Sequence, residues 1–246
     1  MKANFHRTNY FLILSLGAML IGFAPIFVKW SLLSSSAIAF YRMSLTIPFL
    51  FGLNYLLNGR LKFRVKNKRT IIYAAFASLA FTTDLTLWHY SMGITSVSNA
   101  TIIVNSAPIF VAILSFIFFK EKLSKGFVVS FLVTYLGIVG LIYYSNNYIN
   151  GKILGDILCM IAAFFYAVYL LVIARLGKEN SLNIIFYTTL FCCLFSIVPM
   201  IIEGGDIFPS SKFEWINLLL LAVLCQLGGQ YLITHAIGKI SASEGS

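Results

Sequence analysis

Charge is what this chain has least of. Acidic side chains number 8 and histidines 3 among 246 residues, and all charged residues together reach 11%. A soluble domain carries roughly a quarter, so a water-exposed globular fold is excluded. Cysteine is sparse as well. Cys159, Cys192, Cys193 and Cys225 all fall in apolar runs, the adjacent pair makes no CxxC, and no histidine or carboxylate stands at ligand spacing beside them. Four small core residues are expected, not a disulfide framework, a redox dithiol or a zinc site. HExxH, GxSxG and the nucleotide-binding P-loop are absent, so no cofactor is called for, and neither an enzyme nor a directly ATP-driven machine is expected. A channel would want rings of like charge or a filter loop, and neither is present.

What is there is apolar surface. Hydrophobic residues make up 59% of the chain and the mean hydropathy is +0.89. They fall in runs of about 20, the length a helix needs to cross a hydrocarbon core roughly 30 Å thick. Eight spans can be placed, at 9–33, 35–57, 70–92, 98–119, 126–145, 153–173, 182–202 and 215–238. The first is too long for a signal-peptide core and lacks a small-residue cleavage site, so it reads as a retained span. Short connections make neighbouring spans antiparallel. The expected class is an all-α polytopic membrane protein.

The cations sort by side. With the N-terminus in the cytoplasm, fourteen of the 18 lysines and arginines lie in inside segments, two (Lys152, Lys212) lie outside, and Lys29 and Arg42 lie within spans. That bias fixes the expected orientation. It also accounts for the net charge of +10 without a nucleic-acid partner: residues 60–69 form a solvated loop facing anionic lipid head groups of the bilayer.

A shift of 145 residues lays Leu87–Ser98 (LWHYSMGITSVS) on Leu232–Ser243 (LITHAIGKISAS), matching Leu87, Gly93, Ser96 and Ser98 without gaps. The same shift puts span 1 on span 6 and span 3 on span 8. A repeat of five spans is odd-numbered, so the second copy enters the membrane upside down, as in many secondary transporters. The expected division is a first repeat at 1–145 and a second at 146–246. The second holds three spans, so about eight of ten are accounted for and the second repeat is incomplete.

Asp84 to Ser124 reads DLTLWHYSMGITSVSNATIIVNSAPIFVAILSFIFFKEKLS. This stretch resembles the signature region of EamA-type transporters of the drug/metabolite transporter superfamily. Arg42 within AFYRM, Pro108, the Glu121–Lys122–Leu123 turn, Gly137 within FLVTYLGIVGL and Gly155–Asp156 extend the resemblance along the chain. It implies ten helices in two inverted five-helix repeats, both termini cytoplasmic, around a cavity for an organic solute. A chain ending at the eighth span is then expected to be a truncation, or a homodimer that compensates for one.

An ionisable group inside a bilayer costs several kcal/mol unless paired or hydrated, so each needs a reason. Arg42 lies about 10 Å into span 2 and Asp84 about 13 Å into span 3, counted at 1.5 Å per residue from the same side. Asn105 in span 4 reaches a similar level. Either Arg42 and Asp84 belong to a solute or proton site, or they form a structural ion pair between spans 2 and 3. His89 falls about 140° round the helix from Asp84, where a proton relay and a hydrogen-bonded packing role compete. Trp88 could offer an aromatic wall and Gln226 a deep polar group, although aromatics are common enough here that packing is the commoner role. Pro25 and Pro108 are expected to bend spans 1 and 4. Asp156 is placed to cap the sixth span. Taken together, the expectation is a secondary carrier, an exporter or exchanger, moving a small organic metabolite or drug across the cell's inner membrane by alternating access. The alternatives are an inactive truncated remnant of such a carrier and, behind it, a polytopic membrane enzyme.

Overall fold

A computed structural model describes residues 2–59, 61–65, 67–120, nine helical positions between 129 and 143, 153–177, 179–237 and 239. Among these, seven helical rods are long and apolar enough to cross a membrane: α1 (Asn9–Trp30), α2 (Ser35–Asn58), α3 (Lys68–Ser91), α4 (Val97–Phe118), α5 (Ile153–Arg175), α6 (Ser181–Glu203) and α7 (Lys212–Ile237). The chain is an all-helical multi-pass membrane protein. The expected span at 126–145 lies largely outside the described residues, as does the Glu121–Lys122–Leu123 turn.

Three rods are interrupted, each just ahead of a proline. A proline nitrogen cannot donate to the carbonyl four residues back, and its ring crowds that carbonyl. Pro25 follows the break at Gly22–Phe23, Pro48 follows the one at Leu45, and Pro108 follows the one at Asn105–Ser106. The helix starts are capped by side chains. Asn67 accepts from Arg69 N–H, Ser96 from Asn99 N–H, Asn180 from Leu182 N–H and Ser211 from Glu214 N–H, which satisfies amides that have no partner within their own helix. The middle of α7 departs from α geometry. Leu221–Gln230 is a π-helix, a wider winding frequent at functional sites.

Packing centres on α3, which lies against α5, α6 and α2, while α1 lies along α7 and α4 along α5. Small residues are buried on both helices of the α3–α5 pair, Ala77 and Ala80 on α3 and Ala162 and Ala163 on α5. The α1–α7 contact is closer still: a Cβ built on Gly17 would stand 2.9 Å from the Gly229 carbonyl oxygen, and one on Gly229 2.6 Å from Ile21 Cγ1. Without a hydrophobic drive between helices in lipid, such close backbone approach is what holds them together. Leu12, Leu16, Leu56, Ile72, Phe76 and Ile202 turn outward, as lipid-facing residues should.

The connections sort into two faces. One carries Asp156, Glu203, Asp206 and Glu214, and the carboxylates of Asp156, Glu203 and Glu214 accept hydrogen bonds from the chain itself. Glu203 accepts from Ser35 N–H at 2.9 Å and Ser36 N–H at 2.8 Å, and so caps α2. Glu214 accepts from Ser31 Oγ and Leu32 N–H, both at 2.9 Å, at the end of α1. Asp156 lies in the first turn of α5 as expected, and its Oδ1 accepts from Thr95 Oγ1 at 2.7 Å and Asn99 Nδ2 at 3.4 Å. The opposite face holds the basic loop after α2. Its backbone is pinned by Asn54 to the Lys62 carbonyl, Tyr187 to that of Phe63 and Asn183 to that of Arg64. The Phe63 and Phe186 rings stack there 3.8 Å apart.

Candidate functional site

The helix interruptions in α1 and α4 border the same space. Past them α1 and α4 touch on the acid-rich side, Ala24–Trp30 against Val97–Val104; on the other side they part, Lys2–Ile21 following α7 and Ala107–Phe119 following α5. Between them opens a cavity of about 360 Å³, within the range of small-molecule sites. Pro25 and Pro108 both line it, with Ser15 and Gly22 from α1, Thr101 and Asn105 from α4, and Ile233 from α7.

Arg42 and Asp84 reach this cavity from α2 and α3, 2% and 4% exposed respectively. No ion pair joins them among the described residues. Arg42 Nε donates to Gln226 Oε1 at 3.1 Å, and the guanidinium lies 6.0 Å from the centre of the Phe81 ring. Arg42 Nη1 and Asp84 Oδ1 have no hydrogen-bond partner. A buried polar group without a partner is costly, and here two of them stand beside one cavity. Trp88 Nε1 and Gln230 Oε1, on two further lining residues, are also unpartnered.

The other sequence-derived candidates separate. Trp88 and Asn105 line the cavity, and Asn105 Nδ2 donates to the Thr101 carbonyl at 2.8 Å. Gln226 is one layer back, behind Arg42, on the π-helical segment that sets its direction. His89 turns away from the cavity, its Nδ1 standing 3.1 Å from the Ser35 carbonyl oxygen. His235 meets Ser181 Oγ at 3.2 Å. Sequence reasoning gave no place to Ser15, Thr101 and Phe81 in the wall. Short hydroxyls recur throughout apolar helices, so nothing singled these out. Tyr166 also lines the cavity, and Gln230 Nε2 donates to Tyr169 at 2.9 Å.

Comparison with known proteins agrees with this architecture. Residues 8–143 and 153–246 match the EamA-like transporter family, and the chain belongs to it. Solute carrier family 35 member G1 of Mus musculus is 26% identical over 162 residues, covering 61% of this chain and 44% of that protein. Its Homo sapiens counterpart is 24% identical over 178 residues, covering 68% and 48%. An uncharacterized transporter in the sor 3'region of Acidianus ambivalens is 26% identical over 137 residues, covering 55% and 53%. The chain thus spans about half the length of the curated relatives it matches. A solved crystal structure shares the fold at a TM-score of 0.71, with 13% identity, over 94% of this chain and 79% of that one.

Proposed function

We propose that this member of the EamA-like transporter family carries a small organic solute through the cavity between α1 and α4 by alternating access, as a secondary exporter or exchanger. The observation that carries this is the buried, mutually unpaired Arg42 and Asp84 facing one cavity. An organic solute with polar groups would supply the partners they lack, and its apolar part would meet Trp88, Phe81 and Tyr166. Contact of α1 with α4 on the acid-rich side, and their divergence on the other, correspond to a carrier closed at one mouth. The lysine and arginine bias supports a cytoplasmic N-terminus in the cell's inner membrane, with the acid-rich face outside.

Packing also supports an inverted repeat. A shift of 145 residues exchanges α1, α2 and α3 with α5, α6 and α7. The α3–α5 contact then maps onto α1–α7, and α2–α6 maps onto itself. The proposed division is a first repeat at 1–145 and a second at 146–246.

The test is a panel of labelled metabolites in cells lacking related carriers, with and without this chain. Arg42→Ala and Asp84→Asn should each abolish the difference in accumulation that the wild type produces. If the charge-swapped pair (Arg42→Asp, Asp84→Arg) restores it, the two charges serve each other and not the solute. Equal flux in wild type and both single variants would overturn the site.

A further inference from the structure

Hydrogen bonds at the acid-rich face divide the helices into two bodies. In the first, α1 and α2 are joined to α6 and α7: Glu203 holds the start of α2, Glu214 holds the end of α1, Ser34 N–H donates to the Asp206 carbonyl at 2.9 Å, and Asn217 Nδ2 donates to the Phe27 carbonyl at 2.7 Å. In the second, α3, α4 and α5 are joined by Asp156 with Thr95 and Asn99, and by Ser91 Oγ against Cys159 Sγ at 2.8 Å. The seam between them runs along α2, α3 and α6. Deep between the bodies they are bonded through Ser78 Oγ, which donates to the Thr188 carbonyl at 3.0 Å, Cys192 Sγ, which meets the Ser78 carbonyl at 3.4 Å, and Gln230 Nε2, which donates to Tyr169 at 2.9 Å. At the acid-rich end, one side-chain hydrogen bond crosses it among the described residues: His89 Nδ1 to the Ser35 carbonyl.

We propose that His89 is the polar latch of the acid-rich mouth, and that the mouth opens by separating these two bodies about the Ser78–Thr188–Cys192 contact. This rests on the transporter reading, because only a cavity that exchanges sides needs a mouth to open here. A carbonyl oxygen only accepts, so Nδ1 carries a proton here; Nε2 is buried and unpartnered. The imidazole therefore spends one donor across the seam and makes no hydrogen bond that ties it to its own body. Elsewhere at this end Ala24–Trp30 lies against Val97–Val104 across the seam, and among the described residues no hydrogen bond joins those two stretches. Each body keeps its own carboxylate ties throughout. One latch hydrogen bond shifts an open–closed equilibrium by about fivefold.

The test is a distance measured across the seam by pulsed electron paramagnetic resonance in lipid vesicles. Spin labels go on Ser98→Cys in one body and Phe208→Cys in the other, both exposed positions; the four native cysteines are buried. His89→Leu should enlarge the longer-distance population about fivefold. His89→Asn, whose amide places a donor where Nδ1 stood, should return it to the wild-type value. A second pair within one body, Ser98→Cys with Leu154→Cys, should not change. An unchanged seam distance in His89→Leu would overturn the latch, as would an Asn variant that behaves like Leu. A shift in the within-body pair would overturn the rigid-body division. No solute is needed, so a seam that opens on cue in a chain that moves no metabolite would sink the transport reading and leave the latch standing.

Discussion

Arg42 meets three parts of the interior at once. Its Nε is bonded to Gln226, its plane lies near Phe81, and one terminal nitrogen is left for the cavity. Gln226→Leu would strand Nε in a place without water, and a lost hydrogen bond to a charged group costs about 1.5–3 kcal/mol. A melting temperature in detergent lowered by several degrees is the expected outcome, with Gln226→Glu close to wild type because it restores an acceptor. Arg42 and Asp84 were legible in the sequence because an ionisable residue inside an apolar run is rare. Glu203 and Glu214 were not, since a carboxylate at the end of a run reads as ordinary solvent-facing charge. Their partners are backbone amides 168 and 182 residues away, and no local pattern encodes a bond of that range. Several hydroxyls in the helices have a simpler account: Thr46, Ser78, Thr101, Thr188 and Ser196 each donate to the carbonyl four residues back.

At the scale of the element, glycines divide by what lies opposite them. Gly17 and Gly229 each face the other's carbonyl oxygen at 2.9 Å from a built Cβ, so moving the neighbouring isoleucine side chains alone would not make room. Gly229→Ala should force α1 and α7 apart and destabilise by about 1–3 kcal/mol, the usual range for overpacking. Gly52 lies mid-helix in α2 with nothing within 4 Å of a built Cβ. Gly52→Ala should be neutral or stabilise by up to about 1 kcal/mol. Thermal unfolding of the two variants side by side in one detergent checks both signs. The seven described spans were readable to within a few residues, because length and hydropathy alone set them. The π-helical winding of Leu221–Gln230 was not. Its sequence, LAVLCQLGGQ, is ordinary for a membrane helix, and the extra residue per turn is justified only by what it aims at: Gln226 toward Arg42 and Gln230 toward Tyr169. Deleting Leu224 should tighten this segment and rotate one end by about 100°. The expected readout is loss of the Arg42–Gln226 tie, with a melting temperature no higher than that of Gln226→Leu.

The whole molecule has two chemically distinct faces, and their assignment to sides of the membrane is directly measurable. In intact cells, an impermeant thiol reagent should label Phe208→Cys and Ser98→Cys, both on the acid-rich face. It should leave Leu61→Cys unlabelled until the cells are opened, because Leu61 is exposed on the basic face. The reverse pattern would place the N-terminus outside and invert the proposed direction of the mouth. Sequence alone supplied the charge asymmetry on which this rests. It could not supply which helices pack together, because in lipid the choice of neighbour is decided by small residues and scattered hydrogen bonds that leave no periodic trace.

The cap that Glu203 places on α2 bears on the order in which the protein is made. Membrane chains are inserted as they emerge from the ribosome, N-terminal segments first. The amides of Ser35 and Ser36 must wait until Glu203, 168 and 167 residues later, has been synthesised. Until then the acid-rich end of α2 has two donors with no protein partner, and they can be satisfied only by water or lipid head groups at the interface. The second span of the newborn chain is thus completed by the seventh apolar run to emerge, and a ribosome halted before that run would leave α2 frayed at that end.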